Sequence, residues 1–331
     1  MGADSNRRRT SNTLAGELPQ HIPLGAGGEF DAIRMLLDRW GLNARRIGDD
    51  GALIDTRDNP NLVVSIDSSV ENVHFRREWL KPEEIGYRAA AAALSDLAAM
   101  GATPLGMLAA LTIPDSWRAA LDAISDGIGE AASLYNAPIL GGDLSRGTEL
   151  SLTFSVIGTA QNPLSRSAAR PGDLVYMTGS VGGSLLALRE FEAGREPAPA
   201  FRLRFAHPVP RVAEAAWLAK AGGGAAVDVS DGLVADLGHL AAASSVEICI
   251  DLERVSIVDG ISPMDACGSG EEYELVVTVP HELDIRDFQR VFGLDLTCIG
   301  TVAAGDAKVR TFYEGAEVEP PTGYLHFTPE P

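Results

Sequence analysis

Lys81-Pro82-Glu83-Glu84-Ile85-Gly86-Tyr87-Arg88-Ala89-Ala90-Ala91-Ala92-Ala93-Leu94-Ser95-Asp96-Leu97-Ala98-Ala99-Met100-Gly101 reads as one helix with both ends marked. Proline stands in the first turn, where its missing N–H is no loss, and two glutamates follow where the helix dipole favours acids. Gly101 closes the helix. The alanine block implies tight packing against a sheet. Asp96 is out of place, because aspartate is a poor choice inside a helix. It is either a solvent-facing acid or a group turned toward a site, and from this residue alone the two readings weigh equally.

The rest of the chain tips that balance. Acids recur in four more short clusters: Gly48-Asp49-Asp50, Ser65-Ile66-Asp67-Ser68, Gly141-Gly142-Asp143 and Asp228-Val229-Ser230-Asp231-Gly232. Any one of them is an ordinary turn or helix cap. Several, however, follow apolar strand-like runs, where a carboxylate is costly to desolvate unless something positive compensates it. No comparable set of lysines or arginines adjoins them in sequence. Gathering them around a hard divalent cation meets the cost. Mg²⁺ takes oxygen ligands and shares its shell with water and substrate phosphate. The clusters together point to Mg²⁺-dependent phosphate chemistry.

Outward from the alanine helix, the pattern is mixed. Phe30, Ile33, Leu37 and Trp40 share a helical face that begins at Glu29 and stops at Gly41. Leu62 to Ile66 is a strand expected to end on Asp67. Leu105–Ile113, Ile139-Leu140 and Leu150–Ile157 are further strands, with a helix over Trp117–Tyr135. Polar residues and prolines over Thr159–Pro171 mark a boundary. Beyond it come a strand at Leu174–Thr178, a glycine-rich turn at Gly179–Gly183, a helix at Ser184–Ala193 and a proline-rich loop over 194–210. Helices at Arg211–Ala221 and Leu233–Ser244 then alternate with strands at Ala225–Val229, Val246–Ile250, Glu274–Val279 and Thr297–Val302. This is an α/β (α+β) protein of two domains, 29–160 and 161–331, after a flexible tail at 1–28.

Composition sets bounds. Lys and Arg number 27 against 46 Asp and Glu, a net charge of −19. No basic field exists to attract nucleic acid or an anionic membrane. Cys249, Cys267 and Cys298 show no metal or redox spacing and suit a reducing cytoplasm. No apolar run reaches membrane-spanning length, and the start lacks a signal peptide's apolar core. Gly179-Ser180-Val181-Gly182-Gly183 resembles a phosphate cradle, but its spacing fits no standard nucleotide fingerprint and a plain strand-to-helix turn is the commoner meaning. His74 is a lone histidine without metal-ligand spacing. Gly270-Glu271-Glu272-Tyr273-Glu274 is either a surface turn or a set of acids facing a cationic substrate.

Taken in order, these segments resemble the thiamine-monophosphate kinase family of the aminoimidazole ribonucleotide synthetase superfamily. The resemblance is carried by Gly28-Glu29-Phe30, Gly48-Asp49-Asp50, Ser65 through Ser68 to His74-Phe75, and Leu94-Ser95-Asp96-Leu97-Ala98-Ala99-Met100-Gly101-Ala102. It continues through Gly141-Gly142-Asp143 with Arg146-Gly147, Arg166-Ser167, Pro171-Gly172-Asp173, Asp228 to Gly232, Gly270 to Glu274, and Gly323-Tyr324-Leu325-His326-Phe327. It implies ATP-dependent phosphorylation of thiamine phosphate to thiamine diphosphate, with several Mg²⁺ ions. It also implies a two-domain fold whose N-terminal sheets pair into a barrel in a homodimer, in the cytoplasm.

By matching position, Asp50, Ser65, Ile66, Asp67, Asp96, Asp143, Asp228 and Asp231 hold the metals, with Asp67, Asp143 and Asp231 central to catalysis. Gly142, Asp143, Arg166 and Ser230 contact ATP, and His74, Glu271 and Phe327 line the acceptor pocket. The chain departs from the family in three places. Ile66 stands where threonine is usual and can offer a metal only its carbonyl. Ser269-Gly270-Glu271-Glu272 replaces Gly-Gly-Glu-Asp, and Gly183 replaces a frequent acid.

The acceptor's own phosphate oxygen is the nucleophile the resemblance implies, so no serine, cysteine or histidine nucleophile is needed. Within the superfamily the rivals are aminoimidazole ribonucleotide synthetase and selenophosphate synthetase; the absence of an N-terminal reactive cysteine disfavours the second. A non-catalytic acidic metal-binding protein is the rival from another class. It has no use for Arg166 and Ser230 at nucleotide positions.

Overall fold

The alanine-rich stretch forms α1 (Pro82–Ala99) in the computed structural model, which describes residues 21–27, 30–31, 33–35, 37, 47–54 and 60–324. Its first turn is closed by the Lys81 N–H donating to Glu84 Oε2 at 2.8 Å. Gly101 leaves the helix at φ 62°. From Glu84 onward almost every side chain is buried. The helix has no solvent face because it lies between two domains. Ala98 and Ala99 share a core with Leu218, Ala226 and Leu275 from the C-terminal half. Against α2 (Leu121–Leu134) the approach is closer still. A Cβ on Gly86 would lie 2.1 Å from the Ile124 carbonyl oxygen, and one on Gly127 would lie 1.8 Å from that of Glu83.

The N-terminal sheet contains β1 (Ala52–Ile54), β2 (Asn61–Val70), β3 (Thr103–Ile113), β4 (Ile139–Arg146) and β5 (Ser151–Ala160), in the order β1-β2-β5-β3-β4. Only β3 and β4 run parallel. Strand β5 alternates, with Leu152, Phe154 and Val156 fully buried on the side covered by α1. Its register fixes the faces of β2. Asp67 is opposite Phe154 and Ser65 opposite Val156, on the covered side, whereas Ile66 is opposite Ser155. Ile66 is accordingly 66% exposed. Asp67 does not end the strand, as its sequence suggested. It sits in mid-strand, and the period of two turns it inward.

The second sheet contains β6 (Leu174–Thr178), β7 (Ala226–Asp228), β8 (Glu247–Asp251), β9 (Leu275–Val279), β10 (Leu296–Ala303), β11 (Lys308–Tyr313) and β12 (Ala316–Val318). Its order is β12-β11-β8-β10-β6-β9-β7. Helices α3 (Gly183–Glu192), α4 (Pro199–Ala206), α5 (Val212–Lys220) and α6 (Leu233–Ser244) belong to this half.

Two readings change here. The proline-rich loop contains a helix, α4, because Pro199 occupies a first-turn position, where proline is at home. Gly141-Gly142-Asp143 is not a turn but the interior of β4. Glycine is needed there because a Cβ on Gly142 would meet the Ala109 carbonyl oxygen at 1.8 Å.

Near the start, Phe30, Ile33 and Leu37 are helical, while Glu29, Trp40 and Gly41 lie outside the described residues. Of the stretch assigned to a tail, 1–20 and 28 lie outside them too. Residues 21–27 are tied down, with the Ile22 N–H donating to the Ile47 carbonyl at 3.0 Å. No helix among the described residues is long and apolar enough to cross a membrane.

Candidate active site

Carboxylates from three segments converge where α1 meets both sheets. Asp50 comes from the loop before β1, Asp96 from α1 and Asp228 from the end of β7, and one oxygen of each lies within 4.8 Å of the others. Asp67, on the inward face of β2, is near enough to raise the proton affinity of Asp96 and Asp228. The Ser65 hydroxyl donates to Asp96 Oδ2 at 2.5 Å. The Ser95 hydroxyl, fully buried, donates to Asp228 Oδ2 at 2.5 Å across the domain boundary.

Only one cation faces this group among the described hydrogen bonds and ion pairs. Arg166 grips Asp50 with Nε at 2.7 Å and Nη2 at 2.5 Å. Burial and the neighbouring Asp228, Asp67 and Asp50 push the Asp96 carboxyl well above the usual range. Burial and Asp50 push Asp228 up to about 7, against the pull of Ser95 and Arg166. The raised Asp96 and Asp228 show how strongly these acids act on one another in a buried place. The donors are all oxygen, which suits a hard cation such as Mg²⁺.

The adjacent pairs in the sequence have divided duties. Asp49 does not join the cluster. It accepts the Arg166 N–H at 2.9 Å and the Ser165 hydroxyl at 2.5 Å, so it fastens the linker that carries Arg166. Asp236, which the sequence reading passed over, accepts the N–H groups of Ser230, Asp231 and Gly232 at 3.0–3.1 Å. That carboxylate in the first turn of α6 shapes the loop that presents Asp228, Ser230 and Asp231. An acid four residues after Gly232 was the available signal.

The acidic loop at 270–274 forms one wall of a cavity of about 530 Å³ whose floor includes Asp67, Asp96 and Asp228. Its acids diverge. Glu272 is 4% exposed and pairs with Arg204 Nε at 2.6 Å. It also accepts the N–H groups of Gly182 (2.7 Å) and Ser184 (3.1 Å). The resemblance of Gly179–Gly183 to a phosphate cradle is thereby explained and corrected. The turn does bind an anion, but the anion is Glu272. Glu274 lies between Arg204 (3.1 Å) and Arg211 (2.6 Å). Glu271 alone of the three lines the cavity. Its backbone is left-handed, at φ 56°, as is that of Tyr273 at 55°.

His74 also lines the cavity, and its Nδ1 accepts the Val70 N–H at 3.1 Å, which holds the ring in place. Residues 322–324 close the cavity's end, and the Tyr324 N–H donates to the Asp231 carbonyl at 2.9 Å. Phe327 lies outside the described residues. Ser230 and Asp231 line the cavity; Gly142 and Asp143 do not, because β4 is an exposed edge strand. Arg88, buried in α1 and ion-paired to Glu271, was missed because nothing in an alanine-rich helix signals where its one arginine points.

Comparison with known proteins agrees with this architecture. Residues 48–160 match the AIR synthase related protein N-terminal domain, and 170–312 match the corresponding C-terminal domain. The chain is 35% identical to thiamine-monophosphate kinase of Escherichia coli strain K12, over 91% of this chain and 99% of that one. It is 32% identical to thiamine-monophosphate kinase of Pyrococcus horikoshii, over 90% and 96%. Among solved structures it resembles AaThiL complexed with AMPPCP and TMP, with a TM-score of 0.79 and 29% identity over 91% of this chain and 97% of that one. The thiamine-monophosphate kinase of Stenotrophomonas maltophilia superposes with a TM-score of 0.71 and 34% identity, over 83% and 92%. With two domain matches and relatives of this identity along nearly its whole length, the chain belongs to the thiamine-monophosphate kinase family of AIR synthase related proteins.

Proposed function

We propose that this chain transfers the γ-phosphoryl group of ATP to the phosphate of thiamine phosphate, giving ADP and thiamine diphosphate. The observation that carries this reading is a cavity with an acid-rich floor built by both domains, beside the cluster of Asp50, Asp96 and Asp228, and a glutamate, Glu271, on its wall. Phosphoryl transfer between two polyanions needs positive charge more than it needs a protein nucleophile. Asp50, Asp67, Asp96 and Asp228 are read as the groups that hold Mg²⁺, with Ser65, the Ile66 carbonyl and Asp231 completing the set. Bound there, the ions neutralise phosphate charge as Lewis acids.

The protein's own part is positional. Arg166 adds a planar cation beside the same floor and is read, with Ser230, as an ATP contact. Glu271 and His74 are read as facing the acceptor, together with Phe327 near the chain end. The thiazolium's fixed positive charge favours a carboxylate on that wall.

A homodimer belongs to this proposal. Ile66 and Leu108 lie in one cross-strand row on the uncovered face of the N-terminal sheet, 66% and 42% exposed. Among the described residues, both β4 and the part of β2 beyond Val64 are sheet edges. A second copy that closes the sheet edge to edge would bring its β4, which carries Gly142 and Asp143, to the edge of β2 that carries Ser65–Asp67. That arrangement accounts for two family-matched residues that do not line the cavity of a single chain.

The test is turnover of ATP and thiamine phosphate with Mg²⁺, followed by chromatography of the products. Thiamine diphosphate and ADP in equal amounts are expected. No thiamine diphosphate, or equal use of unphosphorylated thiamine, would sink the reading. For the dimer, Leu108→Glu should give a monomer by analytical ultracentrifugation with greatly reduced turnover; a monomeric wild type would overturn it.

A further inference from the structure

Arg88 is the least exposed cation near the cavity, at 2% of its side-chain surface. An arginine this buried needs a reason to be there, since desolvating its charge is costly. Its Nη2 pairs with Glu271 Oε2, and Nη1 donates to the Phe205 carbonyl. The guanidinium carbon lies 4.1 Å from the centre of the Phe205 ring. One side chain of α1 therefore braces both α4 and the glutamate on the cavity wall. Within the ion pair Nη2 makes no well-aligned hydrogen bond. The contact is a charge pairing more than a directional bond.

The loop that carries Glu271 is over-determined everywhere except at that side chain. The Glu271 N–H donates to the Ser230 carbonyl at 2.7 Å, and the Tyr273 N–H to that of Val229 at 2.8 Å. The Glu271 carbonyl accepts the Ser184 hydroxyl at 2.8 Å. These bonds hold two left-handed backbone positions that side-chain-bearing residues seldom adopt. The carboxylate of Glu271 is itself 28% exposed, so without a partner it would turn to water.

We propose that Arg88 is the positioning residue of the acceptor site, holding the Glu271 carboxylate against the cavity wall where a cationic acceptor meets it. This rests on the reading of Glu271 as an acceptor contact. Two effects compete when Arg88 is removed. The wall gains net negative charge, which favours a cation, and the carboxylate loses its fixed place. A solvated, wandering carboxylate is screened by water, so the loss of position wins.

The test is a double-mutant cycle with Arg88→Met and Glu271→Gln, measuring KM for thiamine phosphate and for ATP separately, with melting curves as folding controls. Each single variant should raise KM for thiamine phosphate about tenfold while KM for ATP moves less than about twofold. The double variant should be little worse than either single one. Arg88→Lys, which keeps the charge, should recover most of the loss. If Arg88→Met fails to fold, the same cycle is run with Arg88→Gln, which also removes the charge but keeps a polar end for the Phe205 carbonyl. Multiplication of the two effects to about a hundredfold, or an equal rise in KM for ATP, would overturn the proposal while leaving the function intact. A wild type that does not use thiamine phosphate would overturn both.

Discussion

The floor and the wall of the cavity are both rich in acid, and they are opposite in kind. On the wall, Glu271, Glu272 and Glu274 meet Arg88, Arg204 and Arg211, so each buried carboxylate has a guanidinium within reach. On the floor, Arg166 pairs with Asp50 and pulls on Asp228, while the acids there raise one another's proton affinity. The wall's acids are ion-paired to arginines, whereas the floor's acids crowd one another, as the proposed metal site requires. Acidic residues therefore suggest a metal site only after the nearby cations are counted. In sequence, Asp228-Val229-Ser230-Asp231 and Glu271-Glu272-Tyr273-Glu274 look alike.

The sharpest way to break the contrast is to remove a floor carboxylate. Asp67→Asn should lower turnover by about a thousandfold or more, because the proposed metal site would lose a charged ligand. Its melting temperature should not fall, since one repulsive charge is gone. Activity near that of the wild type at saturating Mg²⁺ would take Asp67 out of the metal set.

The wall should fail in the other way. Arg204→Met removes the cation shared by Glu272 and Glu274, leaving buried acids short of a partner. That costs about 3–5 kcal/mol of stability. Denaturant titration should show the loss whether or not Mg²⁺ is present. If Mg²⁺ restored the variant, the wall would be a cation site after all.

The smallest effect lies in pH. Asp228 is raised from 3.8 to about 7 in the folded chain, chiefly by burial, and Asp96 is raised in the same sense. Between these values the folded state binds more protons than the unfolded one. Stability of metal-free protein should therefore fall as pH rises from about 4 to 7, by a few degrees in melting temperature. Saturating Mg²⁺ should flatten that slope. A metal-free protein that gained stability over this window would show the floor to be compensated already.

Much of the outline was legible. The ends of α1 are written in Pro82, the glutamates and Gly101, and these local rules held because nothing in the fold opposes them. The acidic clusters also announced themselves as a group. The inward face of Asp67 was not legible as a strand end, because strand length depends on the partner β5. Helix α4 hid behind its prolines. The turn before α3 read as a plain turn or a phosphate cradle, and its internal anion, Glu272, lies too far along the chain to have been foreseen.

By itself, then, the sequence determined which segments fold and which carry acid, since propensity, capping and family-matched motifs act over a few residues. Tertiary structure decided which acids meet a guanidinium and which meet one another. Arg88, Arg204 and Arg211 reach Glu271, Glu272 and Glu274 from positions remote in the chain, and Ser95 reaches Asp228 across the domain boundary. Charge balance in a buried site is a sum over neighbours in space, and only the fold sets who those neighbours are.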